Sequence, residues 1–380
     1  RETILARQVE LGLLPPGTEL SGINPHGEPA ATGPDGQPWP LLDTVRPWDS
    51  LSDDEKGLFA RMAEVFAGYI SYADDQLGRV IDFLESSGEL ENTLIVVISD
   101  NGASGEGGPN GSFNEWRFFN GVPDTTAETL PHIDELGGPD SYNHYNTGWA
   151  WAFDTPFPYW KRWAGYEGGV ADMCLVAWPA RIPAQTEPRQ QYVHAVDVVP
   201  TVYELLGITP PDVIKGHPQS PIEGESFAAS LTDASVAGKR TQFYAMLGQR
   251  SIYNEGWLAC TVHPPFGGWG GFEKDEWELY DLTSDWTQYE DLSAKHPAKL
   301  KELQTVFVEE ATKYNVFPLD NEGFQRFLRP RPSGSPGVTE FSYVAPISIT
   351  PGAMPPYLAR DFTITADVDI PQGGAEGMLI

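Results

Sequence analysis

The chain has 380 residues, 40% of them apolar and 12% aromatic, enough for one large domain with a sizeable core and something smaller beside it. Its 24 Lys and Arg stand against 54 Asp and Glu, a net charge of −30 that repels nucleic acid and anionic membranes, so an anionic ligand would need a local positive centre. No stretch approaches the roughly 20 apolar residues of a membrane span, and two cysteines make neither a disulfide framework nor a zinc set. The chain opens at Arg1 inside an apparent helix, Glu2 to Gly12, and stops at Ile380 inside an apparent strand, as though cut at both ends. Residues 14 to 48 are rich in Pro and Gly and read as an extended surface segment. Ser52 and Glu55 form a capping box, and apolar residues at helical spacing from Leu58 to Leu84 predict a long core-packing helix ending near Gly88.

The run Thr93-Leu-Ile-Val-Val-Ile-Ser-Asp-Asn-Gly102 follows. Its β-branched residues predict a buried strand, and the polar stop puts Asp100 and Asn101 at the strand's carboxyl end, where open α/β sheets place ligands. Both offer the oxygen that hard cations prefer, although Asp, Asn and Gly also favour simple turns. From Gly102 to about Gly169 the chain is a long loop dense in Gly, Asn, Pro and aromatics. Such insertions are functional or disordered, and the aromatic content argues for order. The aromatics from Phe113 to Trp160 suit either stacking on an aryl or sugar group or packing among themselves. Met173 to Trp178 reads as a second strand, with Cys174 an inert core residue. Val193 to Gly207 reads as a short strand or turn entering a helix, with Pro200 in its first turn and Gly207 as C-cap. After about residue 240, four short strand-like segments predict an antiparallel meander, and Pro297 to Tyr314 predicts a helix. Gly323 to Gly337 reads as a linker, and the alternation of Phe362 to Ile370 as a half-buried strand.

Four side chains beyond Asp100 and Asn101 could carry chemistry. Lys161 offers a compact charge with three donors, suited to an anionic oxygen, and Arg162 beside it could do the same. His144 lies in the aromatic loop and could be a ligand or proton-transfer group. His194, beside Asp197 in an apolar segment, reads as a satisfied structural histidine.

Taken in order, several segments resemble the sulfatase family of the alkaline-phosphatase superfamily. They are Tyr69 to Leu84, Asn92 to Gly102, Thr155-Pro-Phe157 with Lys161, Tyr166-Glu-Gly-Gly169, Trp178 to Ile182, Val196 to Thr201, Trp277 to Leu282 and Asp291-Leu292. The resemblance covers residues 1 to 320, most closely the large bacterial arylsulfatase type, and the tail from Phe341 resembles an appended β-sandwich. It implies that Asp100 and Asn101 ligate a single Ca²⁺ (Mg²⁺ in some relatives), and that a lysine contacts the sulfate ester. In many relatives that lysine lies five residues before the glutamate of Glu-Gly-Gly. Here Lys161 lies six before Glu167 and Arg162 five, while the Thr-Pro-Phe context favours Lys161. The family's nucleophile is a formylglycine made within Cys/Ser-x-Pro-x-Arg, and no Cys or Ser of this chain lies in that motif. The family's N-terminal aspartate pair is absent too. The expectation is a fragment of a metal-dependent sulfatase acting on small-molecule sulfate esters and inactive alone. A phosphodiesterase or phosphonate hydrolase of the same superfamily, and a non-catalytic binding protein, remain alternatives.

The fold these readings imply is α/β. A mostly parallel, helix-covered sheet carries Leu94–Ile98 and Met173–Trp178 within residues 1–238. A smaller antiparallel sheet with its packing helix occupies 239–322, a linker 323–340, and the start of a β-sandwich 341–380.

Overall fold

Ser52 opens the longest helix of the computed structural model, α2 (Asp53–Ser87). The expected capping box is present: Ser52 Oγ accepts from the Glu55 amide, and the Glu55 carboxylate accepts from the Ser52 amide at 3.0 Å. Gly88, left-handed at φ 78°, ends the helix as its C-cap. Residues 1–22, 41–185, 187–263, 271–321, 338–343 and 361–374 are described. The chain divides into two units, Arg1–Phe324 and Gln325–Ile380.

Within the first unit, α1 (Glu2–Glu10) and α2 precede β1 (Ile95–Ile98). Short helices α3 (Glu115–Phe119), α4 (Thr126–Thr129), α5 (Thr147–Phe153) and α6 (Glu167–Val170) punctuate the aromatic loop before β2 (Cys174–Ala177). The loop is ordered by its own aromatics. Tyr159, Trp160, Trp163 and Tyr166 are buried with Leu58, Phe59 and Met62 of α2, and Tyr159 stacks on Trp163 with centroids 4.1 Å apart. These rings are core; among the described side chains of the loop, Trp116 and Tyr142 are large aromatics at its surface.

The two strands correct the expectation of parallel pairing. β1 and β2 are antiparallel, Ile95 facing Ala177 and Ile98 facing Cys174. An apolar β-branched run specifies a strand but carries no information on its partner's direction. Neither strand is buried as expected: Ile98, Cys174 and Leu175 are exposed. The far half of α2 behaves alike, with Tyr69, Leu77, Val80 and Phe83 exposed and burial confined to Leu58, Phe59 and Met62. Apolar periodicity marks a face fit for burial without saying what covers it. The described ends of segment 14–48 depart from the expected surface path in the other direction, since Leu14, Ser21, Asp43, Thr44 and Val45 are buried.

After α7 (Val198–Leu206), capped by left-handed Gly207 as expected, come the hairpin β3 (Val213–Ile214) and β4 (His217–Pro218), then the meander. Its strands β5 (Thr241–Met246), β6 (Gln249–Asn254), β7 (Trp257–Thr261) and β8 (Trp277–Asp281) pair antiparallel in chain order, as the sequence predicts. Leu247-Gly248 and Glu255-Gly256 turn the first two hairpins with φ positive at all four residues. That is the geometry of two-residue turns matched to strand twist. α8 (Pro297–Lys313) lays Leu303, Phe307 and Ala311 on Ile252, Ala259 and Leu279. The first unit is therefore α/β, with its meander antiparallel.

In the second unit the expected β-sandwich strand is not found. Residues 361–371 carry no strand, and Phe362, Ile364, Val368 and Ile370 are at least half exposed. Alternation suits a strand only when a neighbour accepts its hydrogen bonds. Most of the predicted linker lies outside the described residues.

Candidate active site

The loop leaving β1 is stitched to the region around Glu167-Gly-Gly169 by main-chain hydrogen bonds. Ser99 N donates to Met173 O at 3.2 Å, Gly102 N to Gly169 O at 3.4 Å, and Lys161 N to Ala103 O at 3.0 Å. Ala103 N is held by both carboxylate oxygens of Asp154, at 2.9 and 3.1 Å. Burial pushes the Asp154 carboxyl up to about 8, against those donated bonds, with Asp172 adding to the rise. Gly102 is required here: a Cβ would lie 1.9 Å from the Gly168 carbonyl oxygen. The segment bearing Asp100 and Asn101 and the segment bearing Lys161 therefore meet at one place, as the ordered motifs suggest.

Lys161 and Arg162 are adjacent but go to opposite environments. Arg162 has the left-handed φ of 81°, which swings it inward; such a conformation in a non-glycine costs about 1–3 kcal/mol and persists only where its surroundings hold it. Its guanidinium forks onto Asp43 at 2.8 and 3.3 Å, and its Nε lies 3.2 Å from Glu106 Oε1. Arg162 and both of these acids are buried. Lys161 keeps 34% of its side chain exposed against 3% for Arg162, and its Nζ stands 3.6 Å from the same Glu106 oxygen. Arg162 is thus committed to internal carboxylates, while the lysine can face a ligand.

Asp100 is exposed at the end of β1 and Asn101 half-buried. The Asn101 amide nitrogen donates to Gly102 O at 3.0 Å, so its oxygen is the atom left to coordinate. Asp172 stands beside Ser99 and Asp100, and its carboxyl is raised by partial burial and then by the Asp100 charge. Neither Asp154 nor Asp172 was singled out from the sequence; the acids lie in a Pro- and Gly-rich loop with no periodicity to flag them. The donor set around Asp100 is all oxygen and suits a hard cation. Among the described residues, no group of three or more His, Cys, Asp or Glu is placed to hold a metal. Asp100 and Asn101 offer two of the six to eight oxygens that a Ca²⁺ takes.

His144 is brought to the same loop. Its Nδ1 lies 2.8 Å from Tyr145 O and its Nε2 2.9 Å from Ser104 Oγ. The carbonyl can only accept, so Nδ1 carries the proton and Nε2 accepts from the Ser104 hydroxyl. Both nitrogens are occupied in orienting residues 104 and 145. His194 is structural, as expected: its ring accepts from Val196 N, and its amide donates to Asp197, which is paired with Lys239. Glu167 is fully enclosed, bonded by Trp286 Nε1 at 3.2 Å, and burial lifts its carboxyl to about 7.

The sequence profile of the family described as Sulfatase matches residues 24–208. An uncharacterized sulfatase of Schizosaccharomyces pombe is 30% identical over 269 residues, covering 68% of this chain and 45% of that protein. An arylsulfatase of Klebsiella aerogenes is 26% identical over 208 residues, covering 53% of this chain and 42% of that protein. Among solved structures, i-CgsB matches with a TM-score of 0.43 and 17% identity over 82% of this chain and 51% of that one. The matched stretch spans less than half the length of these two curated relatives. With the ordered motifs from Tyr69 to Leu292, the family profile and the two curated relatives show that the chain belongs to the sulfatase family.

Proposed function

We propose that this chain supplies one side of a sulfatase active site acting on small-molecule sulfate esters. Asp100 and Asn101 would be two oxygen ligands of a divalent cation, Ca²⁺ or Mg²⁺, and Lys161 would meet the anionic oxygens of the ester. The observation that carries this reading is the junction itself: Lys161 is tied by its amide to the loop of Asp100 and Asn101, and it is the accessible member of the Lys161–Arg162 pair. In a protein of charge −30, that ammonium is the local positive centre an anionic substrate requires.

When bound, the cation would polarise an ester oxygen and favour deprotonation of a nucleophile. Lys161 would place three donors toward charge that grows on the transferring group or leaving oxygen, usually the largest catalytic contribution. The nucleophile in this reading is a formylglycine, and the 380 residues contain no Cys/Ser-x-Pro-x-Arg to make it. The chain by itself would therefore not turn over an aryl sulfate.

The test uses the intact gene product that carries this chain. Asp100→Ala should abolish both retention of Ca²⁺, read by metal analysis after dialysis, and hydrolysis of 4-nitrophenyl sulfate. Because Asp100 is exposed, its thermal transition without added metal should match the parent's. Unchanged metal content in Asp100→Ala would remove Asp100 from the site.

A further inference from the structure

Glu106 has no counterpart among the roles above, yet it touches both cations of the Lys161–Arg162 pair. It sits in Ala103-Ser-Gly-Glu-Gly-Gly108, the continuation of the loop that carries Asp100 and Asn101. The loop is clamped from two sides. The Ser104 amide donates to Tyr145 OH and its hydroxyl to His144 Nε2, while a Cβ on Gly105 would strike the Trp160 indole at 2.5 Å, and one on Gly107 the Tyr145 carbonyl at 2.0 Å. The backbone of Glu106 is thus fixed between the aromatic core and residues 144–145. Its side chain is 9% exposed.

Charge accounting gives this carboxylate a task. The fork of Arg162 onto Asp43 satisfies one positive and one negative charge with bidentate geometry. Glu106 Oε1 stands 3.2 Å from the Arg162 Nε as an ion pair without a hydrogen bond and brings a second negative charge, and its Oε2 is buried without a hydrogen-bond partner. A buried carboxylate is favoured by a cation beside it. Lys161 is such a cation, at 3.6 Å, close enough for attraction but beyond hydrogen-bond length. The ammonium is therefore held in place while its three donors stay uncommitted.

We infer that Glu106 is a positioning residue for Lys161: anchored through Arg162 to Asp43, it holds the ammonium where the ester's anionic oxygens would arrive. The inference rests on the reading of Lys161 as the ester contact. Under it, the two adjacent cations have complementary roles, Arg162 orienting Glu106 and Glu106 orienting Lys161.

Because Glu106 is itself negative, it opposes an incoming anion while it aligns the lysine. Neutralising it separates these effects. In the Ca²⁺-loaded intact gene product, Glu106→Gln should lower kcat for 4-nitrophenyl sulfate about tenfold, the scale of a modest misplacement. KM should stay level or fall, because a repelling charge has been removed. Lys161→Ala should lower kcat and raise KM. In the Lys161→Ala background, Glu106→Gln should change kcat little, since there is no ammonium left to position. An equal kcat loss with and without Lys161 would overturn the inference and make Glu106 merely structural, as would a rise in KM with kcat intact. Full activity in Lys161→Ala would instead overturn the assignment of the lysine itself. Should Glu106→Gln fail to fold, Glu106→Asp keeps the charge that Arg162 needs and carries the same cycle: kcat reduced with Lys161 present, unchanged with it absent.

Discussion

Arg162→Ala and Lys161→Ala remove the same charge from neighbouring positions, and their effects on stability should differ several-fold. Arg162 forks onto Asp43, which has no exposure, and it also faces Glu106, itself nearly buried. Deleting one partner of a buried pair leaves an uncompensated charge, at a cost of about 3–5 kcal/mol. Lys161 is partly exposed and 3.6 Å from its acid, and a pair of that kind contributes roughly 0–1 kcal/mol. Against a total stability on the order of 5–15 kcal/mol, Arg162→Ala should remove a third or more, and Lys161→Ala a barely measurable share. Urea unfolding followed by tryptophan fluorescence reads this directly, because Trp160 and Trp163 flank the pair in the core. The midpoint for Arg162→Ala should drop sharply, with the slope unchanged, and that for Lys161→Ala should stay near the parent's. Equal midpoints would refute the assignment. A fully stable but inactive Arg162→Ala would make the arginine the ester contact.

Two further outcomes follow from buried groups away from the cation pair. The Glu167 carboxyl is lifted from the ordinary 4.5 to about 7 by burial. The folded state therefore holds a proton that the unfolded chain releases, and stability is lost as pH rises from about 4.5 through 7, by about 3 kcal/mol in all. Glu167→Gln should flatten that decline, so chemical denaturation at pH 5 and pH 8 should give a smaller difference than in the parent; an identical difference would show that Glu167 does not titrate this way. Gly102→Ala should be destabilising by at least about 1–3 kcal/mol, since its Cβ meets backbone at 1.9 Å. Gly78→Ala, with open space at a helical position of α2, should stabilise by about 1 kcal/mol. Thermal melts that rank these two alike would contradict the close approach of residues 102 and 168.

Much of the fold was legible because its signals are local. The capping box at Ser52, the C-caps at Gly88 and Gly207, and the X-Gly turns of the meander each need only a few adjacent residues. The candidate cation ligands were legible for the same reason, an apolar strand ending on Asp-Asn-Gly. What the sequence did not convey depends on distant partners. The direction of β1 against β2 is settled by pairing across the intervening loop. The exposure of Cys174, in an apolar run that resembles core, depends on what packs against the sheet face.

The pair at 161 and 162 shows the limit most clearly. Counting back from Glu167 favours the arginine, and the Thr-Pro-Phe context favours the lysine; both criteria measure position along the chain. The three-dimensional arrangement turns on a backbone angle and two acids. A left-handed residue at 162 sends consecutive side chains to opposite sides, and Asp43 and Glu106 wait on the inner one. Neither acid carries a local signature: Asp43 follows a Pro- and Gly-rich stretch, and Glu106 lies between glycines, where a turn is the ordinary reading. A lysine at 162 would meet Asp43 with a point charge in place of a fork and leave Glu106 without its Nε contact. The order Lys-Arg is therefore chemically directional: the guanidinium suits the buried, bidentate place, and the ammonium suits the more exposed one.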